Sequence, residues 1–291
     1  MSHSISVFDR KLVRHRRDRA AKTAHRVVDV LDAAAATLLD RLDDTTRTFT
    51  RALDLGGRGS IAPALRARGI GQVVSMDLSA QMARRAGGIP VQADEEWLPF
   101  ATGSFDLVVA SLSLHWVNDL PGALLQIRRV LAPDGLFLAS LPTLGTLQPL
   151  RRALDHAENA VRGGISPRVS PFPELSDAAS LLQRAGFAMP VADHAVLDLR
   201  YRTALALIRD LQNAGESNAV LARDSRTPPR ALFALALSKL QDAGEMIPMP
   251  LHMAVLTGWG PAPGQPKPAP RGSGQVSLAQ ALDAPENQQP N

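Results

Sequence analysis

From about residue 50 onward, apolar positions gather into short runs separated by polar turns and stretches of helical period. Arg51–Gly56 (RALDLG), Gln72–Leu78 (QVVSMDL), Ile89–Ala93, Phe105–Ala110 (FDLVVA) and Gly135–Leu141 (GLFLASL) read as buried strands. Between them Ile61–Arg68, Gln81–Ala86 and Leu120–Leu131 read as helices, the last stopped by Pro133-Asp134-Gly135. Strand–helix alternation at this spacing predicts βαβ units, hence an α/β fold with a Rossmann-like, mostly parallel sheet covered on both faces. Ahead of it, residues 8–45 read as helix, with Val27, Leu31, Ala34, Leu38 and Leu42 at helical spacing. Beyond residue 145 helices are expected at Leu147–Arg162, Ser176–Ala185, Thr203–Ala214 and Pro229–Ala243, with strands at Val196–Tyr201 and Met253–Thr257. This divides the chain into a basic helical segment (1–45), a sheet core (46–145) and a helical cap with the final strands (146–260). The remainder (261–291) holds seven of the 22 prolines and is expected to be disordered, with one docking turn at Ser277–Leu282.

Composition narrows the chemistry. With no cysteine, the chain has no disulfide, thiolate nucleophile or zinc ribbon. An aromatic content of 4% argues against a base-stacking platform, so no nucleic-acid partner is expected. No apolar run approaches the roughly 18 residues that cross a bilayer, and the start lacks the apolar stretch of a secretory signal. The net charge of +4 is local: Arg10 to Arg26 holds eight Lys/Arg against Asp18 and contributes +7, which leaves −3 for the rest. That segment reads as a solvated helix face, the alternative being a docking surface for an acidic partner. His156, His194 and His252 lack metal-ligand spacing, and no metal is assigned.

The glycine-rich turn after the first strand, Asp54-Leu55-Gly56-Gly57-Arg58-Gly59, is where a ligand of such a sheet is expected. Its glycines permit a tight turn and close backbone approach, and the next helix offers free N–H groups. Asp54 can take up the ammonium of an amino-acid-bearing nucleotide. Asp77 ends the second strand and can accept from ribose hydroxyls, while Asp94 after the third strand can accept from an adenine amino group. Three acids after three successive strands favour S-adenosylmethionine. Gly57-Arg58-Gly59-Ser60-Ile61-Ala62 also satisfies a dinucleotide pattern, but Asp54 would face a pyrophosphate unfavourably. Gly56, Gly57, Gly59, Leu78, Glu95 and Ser111 complete the expected cofactor set. His115 is the candidate base, though a His-Trp pair of this kind more often packs under a cofactor. Trp116, Ser166, Glu216, Ser217 and Asn218 are placed at the acceptor and its lid.

Phe8–Leu12 (FDRKL), Ala93–Phe100, Ser111–Pro121 (SLSLHWVNDLP), Gly163–Phe172 (GGISPRVSPF), Asp210–Asn218 (DLQNAGESN) and Gly258-Trp259 occur in this order. Over about residues 8–260 they resemble the mitochondrial complex I assembly factors of the class I methyltransferase superfamily, described as protein-arginine hydroxylases. More distantly, the first half is similar to the malonyl-carrier-protein methyltransferases of biotin synthesis. The resemblance implies a seven-stranded sheet whose last strand is antiparallel, S-adenosylmethionine held by Asp54, Gly56, Asp77 and Asp94, and a helical cap over 145–250 that meets a protein substrate. It also makes a respiratory complex I subunit a candidate partner. The Phe8 motif begins so early that no transit peptide is expected, which implies a bacterial cytoplasmic protein, peripheral to the inner membrane through such a partner. One departure stands out: the family loop reads Gly-Cys-Gly-Arg-Gly, and Gly56-Gly57-Arg58-Gly59 is one residue shorter. Methyl transfer to a protein or carrier-bound acceptor, arginine hydroxylation, and a scaffold without catalysis are the three functions these features admit.

Overall fold

The structure is a computed structural model that describes residues 6–241, 245–266, 273 and 277. Most of the expected proline-rich tail and its docking turn lie outside the described residues. Strands β1 (Arg51–Leu55), β2 (Gln72–Asp77), β3 (Ile89–Gln92), β4 (Phe105–Ser111), β5 (Leu131–Pro142), β6 (Ala188–Leu197) and β9 (Leu251–Trp259) form a seven-stranded sheet in the order β3-β2-β1-β4-β5-β9-β6. All pairs are parallel except those of β9, which runs antiparallel to both β5 and β6. The expected sheet, with its final strand reversed, is therefore present. The short β7 (Arg200–Tyr201) and β8 (Ile247–Pro248) make a separate ribbon.

Strand alternation sends successive side chains to opposite faces. Leu53, Val74, Val108, Ala110, Phe137 and Ala139 point to one side, where α5 (Leu120–Val130) and α7 (Leu175–Arg184) cover them. Ala52, Val73, Leu107, Val109, Leu136 and Leu138 point to the other, under α2 (Val28–Asp43) and α3 (Ile61–Ala67). Local chemistry sets the helix starts: Asp9 caps α1 (Arg10–Ala20), Ser79 caps α4 (Ala80–Arg85), and Asp119 caps α5 with Pro121 in its first turn. The cap proper consists of α6 (Gln148–Arg162), α8 (Ala204–Ala214) and α9 (Arg230–Gln241), which share a core built on Leu150, Leu154, Leu207 and Leu232.

Three expectations are corrected. The single helix over 8–45 is broken at 21–27 by a turn and a short 3-10 segment. The break lets α1 turn away from α2 and pack on α4 and α8, where Ala20 and Arg17 meet Gly215. The strand expected at Val196–Tyr201 is β6, which begins at Ala188 and ends at Leu197, with Arg200 and Tyr201 belonging to the ribbon. Its pairing with β9, through a register shift between Ala188 and Val191, decides those bounds rather than its weak apolar pattern. Finally, α7 does not join the cap; it packs on β6 and β9 at the sheet.

Candidate active site

The order of the sheet reverses between β1 and β4, and the carboxyl ends of those strands form the crevice where ligands of such sheets bind. Asp54 on β1 is 1% exposed. Its Oδ2 accepts from Ser75 Oγ at 3.2 Å, and its Oδ1 has no hydrogen-bond partner. Burial, aided by the charge of Asp77, raises its carboxyl to about 7. The glycine turn folds back onto this strand end. Gly56 has φ +72°, and a Cβ there would lie 2.2 Å from Ser113 Cβ; one on Gly57 would lie 2.3 Å from Asp54 Oδ2. Both positions demand glycine because protein atoms already fill the space beside them. Gly59, at φ +106°, has open surroundings. Arg58 turns inward, donates from Nη2 to the Leu112 carbonyl at 2.7 Å and pairs with Glu216.

At the ends of β2 and β3 the acids are already engaged. Arg17 of α1, 1% exposed, reaches Asp77 Oδ2 and Glu95 Oε1 from one nitrogen, each at 2.8 Å. The second Asp77 oxygen accepts from Ser79 N at 2.7 Å, so this carboxylate is satisfied without a ligand. Arg10, two turns earlier on the same face, pairs with Asp94 at 2.6 Å and with Glu95. Burial would raise the Glu95 carboxyl, but Arg17 and then Arg10 outweigh it and hold it below the ordinary glutamate value. Burial raises Asp77 to about 6 against the pull of Arg17. The expected solvated face of the basic helix is thus corrected in part: Arg10 and Arg17 turn in with Val13 and Ala20, the buried row at i, i+3, i+7 and i+10. Phe8, bridged to Val220, and Asn118, which accepts from the N–H groups of Val7 and Phe8, tie the start of α1 to the cap and to the end of β4.

After β4, Leu112 (φ +48°) and a 3-10 turn at Leu114–Trp116 bring His115 and Trp116 under the cap. Glu216 Oε2 joins both, at 2.7 Å from His115 Nε2 and 2.7 Å from Trp116 Nε1. Burial alone would raise Glu216; Arg58 and His115 outweigh it and hold the carboxyl well below its usual range. His115 Nδ1 is buried without a partner among the described residues. These residues form one wall of a cavity of about 670 Å³ enclosed by α1, the start of α2, α6, α8 and the loops at 168–172 and 216–228.

The predicted residues therefore fall into two groups. His115, Trp116, Glu216, Ser217 and Asn218 line the cavity. Asp54, Gly56, Gly57, Gly59, Asp77, Glu95, Asp94 and Ser111 cluster at the neighbouring strand ends and do not line it; Leu78 packs with Phe8, Val13 and Trp116. Ser166 stands apart from both, bonded through its N–H and Oγ to the buried Glu158. Sequence reading missed Arg10, Arg16, Arg17 and Arg58 as site residues, together with the Tyr201–Asp210 hydrogen-bonded pair in the cavity wall. The period of the basic helix contained the signal for Arg10 and Arg17. Arg58 had none, since its partner Glu216 is remote in sequence, and Tyr201 meets Asp210 only across the turn from β7 into α8. Among the described residues no group of three His, Cys, Asp or Glu is arranged to hold a metal.

Comparison with known proteins agrees with this architecture. Residues 53–139 match the family model described as a methyltransferase domain. The chain is 38% identical to the mitochondrial arginine-hydroxylase NDUFAF5 of Danio rerio, over 94% of this chain and 89% of that protein. It is 38% identical to the Homo sapiens protein of the same name, over 95% and 84%. A malonyl-[acyl-carrier protein] O-methyltransferase of Gallionella capsiferriformans is 30% identical over 88% of this chain and 93% of its own length. Among solved structures, the YcgJ protein of Bacillus superposes with a TM-score of 0.53 at 16% identity, covering 78% of this chain and 98% of that one, which speaks to the fold alone. The chain belongs to the family of methyltransferase-domain proteins that includes the arginine-hydroxylase NDUFAF5.

Proposed function

We propose that the protein transfers a methyl group from S-adenosylmethionine to a protein or carrier-bound acceptor held beneath the cap. The observation that carries this is Asp54: a buried acid at the sheet's switch point, with one unpartnered oxygen, beside a cavity large enough for an acceptor. In chemistry the residues present suit the cofactor. Asp54 would hold its ammonium, Asp77 its ribose hydroxyls and Asp94 its adenine amino group, with Gly56, Gly57, Gly59, Leu78, Glu95 and Ser111 around them. When bound, the cofactor supplies a methyl group on a positively charged sulfur. Among the described residues Asp54 keeps one unpartnered oxygen, whereas Arg17 holds the Asp77 oxygen that ribose would need and Arg10 holds Asp94. Binding in this reading exchanges Arg17 for ligand.

Transfer to an acceptor needs alignment and water exclusion, which the cap, Trp116, Ser217 and Asn218 provide. It also needs a place for the acceptor's proton. An ionised Glu216 holds the Nε2–H tautomer of His115, which leaves Nδ1 as a lone pair able to accept that proton. In the same reading residues 1–45, 46–145 and 146–260 act as strap, cofactor core and acceptor cap, and the protein works in the cytoplasm. A second reading comes from the 38% identical relatives named arginine-hydroxylase: oxygenation of a protein arginine, with a respiratory complex I subunit as the partner that the family resemblance implies.

Calorimetric titration with S-adenosylmethionine and S-adenosylhomocysteine, with Asp54→Asn as control, tests the site. Binding lost in Asp54→Asn supports it, and absence of binding to either ligand at millimolar concentration leaves a scaffold as the remaining function. Product mass separates the enzymatic readings, since the modified acceptor gains a methylene in one and an oxygen atom in the other.

A further inference from the structure

Methyl transfer does not account for the side walls of the cavity. Leu31, Leu150, Leu154, Phe172, Ile208 and Phe233 give the cavity an apolar lining, and its volume of about 670 Å³ exceeds what a reacting group alone requires. On its α1 side lies Arg16, half-buried, its Nη1 donating to the Ser217 carbonyl. Among the described residues no carboxylate lies within 4.0 Å of that guanidinium. Burial and then the neighbouring Arg223 lower its pKa and outweigh the opposing charge of Asp9. Arg223 pairs with Asp9 at 3.5 Å and donates to the Val220 carbonyl at 2.9 Å. The other cations of the wall are paired: Arg58 with Glu216, Arg168 with Glu158, Arg226 with Asp224 and Arg223 with Asp9, while Asp210 accepts from the Tyr201 hydroxyl. Arg16 is thus the cation of this wall left, among the described residues, without a carboxylate within 4.0 Å, and it stands on the α1 side of a largely apolar space.

We propose that the cavity binds a single-chain amphiphile with an anionic head, its chain against the Leu31, Leu150, Leu154 and Phe233 wall and its head on Arg16 and Arg223. A volume of about 670 Å³ falls within the range of ligand pockets, roughly 300–1,000 Å³. An anion there gives Arg16 the partner it lacks and relieves its repulsion with Arg223, while the chain dries the apolar wall. The proposal rests on the acceptor reading for its biological role, His115 being part of the same lining. Binding itself does not require the cofactor.

Calorimetry on the full chain, with ligands below their micellar concentrations, tests this. Dodecanoate is expected to bind; hexanoate should bind at least a hundredfold more weakly, because each two methylenes left unburied cost roughly tenfold. Dodecyltrimethylammonium, equal in chain and opposite in charge, should also bind at least a hundredfold more weakly. Arg16→Gln with Arg223→Gln should weaken dodecanoate at least tenfold and leave dodecanol unchanged. Equal binding of the cationic and anionic amphiphiles, or no dodecanoate binding at millimolar concentration, overturns the proposal. An S-adenosylmethionine titration of the same samples keeps the two readings apart: cofactor binding without dodecanoate binding defeats this proposal alone, and the converse defeats the enzymatic reading alone. Retained cofactor binding in the double variant, or an unchanged circular-dichroism spectrum, shows that the variant is folded.

Discussion

Replacing Arg17 with methionine removes the guanidinium that joins Asp77 and Glu95 while keeping most of the side-chain volume. Both carboxylates are fully buried and Arg17 is 1% exposed, so neither acid can turn to bulk water for a substitute. Breaking a buried pair by removing one partner costs about 3–5 kcal/mol, and the ligand-free variant should be destabilised by that order in urea unfolding. Cofactor affinity should move the opposite way. The wild-type chain must break the 2.8 Å contact from Arg17 to Asp77 before ribose hydroxyls can use that oxygen. A hydrogen bond to a charged group is worth about 1.5–3 kcal/mol, which corresponds to roughly 10- to 150-fold in affinity. Calorimetry should therefore show Arg17→Met binding S-adenosylmethionine roughly 10- to 150-fold more tightly than wild type. The ligand should also raise the melting temperature of the variant further than that of wild type. Arg17→Lys, which keeps a charge near the acids, should lie between the two and serves if the methionine variant does not fold. Unchanged or weaker binding in both variants refutes the competition and makes Arg17 a residue that helps hold the ligand.

Other outcomes follow from the same geometry. Burial raises Asp54 to about 7 in the folded chain, well above the ordinary aspartate range, so the folded state holds the proton more tightly than the unfolded state. Its effect on stability is therefore a loss as pH rises from about 4 to about 7, on the order of 3–4 kcal/mol, and Asp54→Asn should flatten that part of a stability–pH curve. Cofactor binding should strengthen over the same window, approaching tenfold per pH unit below 7, because an ammonium needs the ionised acid; pH-independent affinity would contradict the role given to Asp54. Glu216→Ala leaves Arg58, His115 and Trp116 without their shared acceptor and should cost about 3–5 kcal/mol in chemical denaturation. Gly56→Ala brings a Cβ to 2.2 Å from Ser113 at φ +72° and should lower stability by about 2–4 kcal/mol, whereas Gly59→Ala, with nothing nearer than 3.8 Å, should cost less.

Much of this was legible in the chain alone. The strands β1, β2, β4 and β5 and the helices between them follow from runs of apolar residues ended by glycine, proline and capping residues, all local signals. Asp54, Asp77 and Asp94 could be placed at strand ends for the same reason, since a strand's last residue is set by where its apolar run stops. His115 and Trp116 could be placed near an acceptor because they follow the fourth strand, and Glu216 because it lies in a polar loop; the structure brings them together around the Glu216 carboxylate. Ser166, singled out as part of a polar loop, instead serves the buried Glu158.

Tertiary structure decided the rest because each remaining feature depends on partners far away in sequence. Whether the basic N-terminal helix lies in solvent or on the site depends on the break at 21–27 and on Gly215, about 200 residues later, against which Arg17 and Ala20 pack. The bounds of β6 come from its pairing with β9, not from its own alternation. Above all, the residue types of Asp77 and Arg17 say only that one can accept and the other donate. That they meet, buried, 60 positions apart, is a product of packing, and it turns an open ribose acceptor into one already taken. Local sequence determines which groups a strand end offers; only the assembled fold determines what already occupies them.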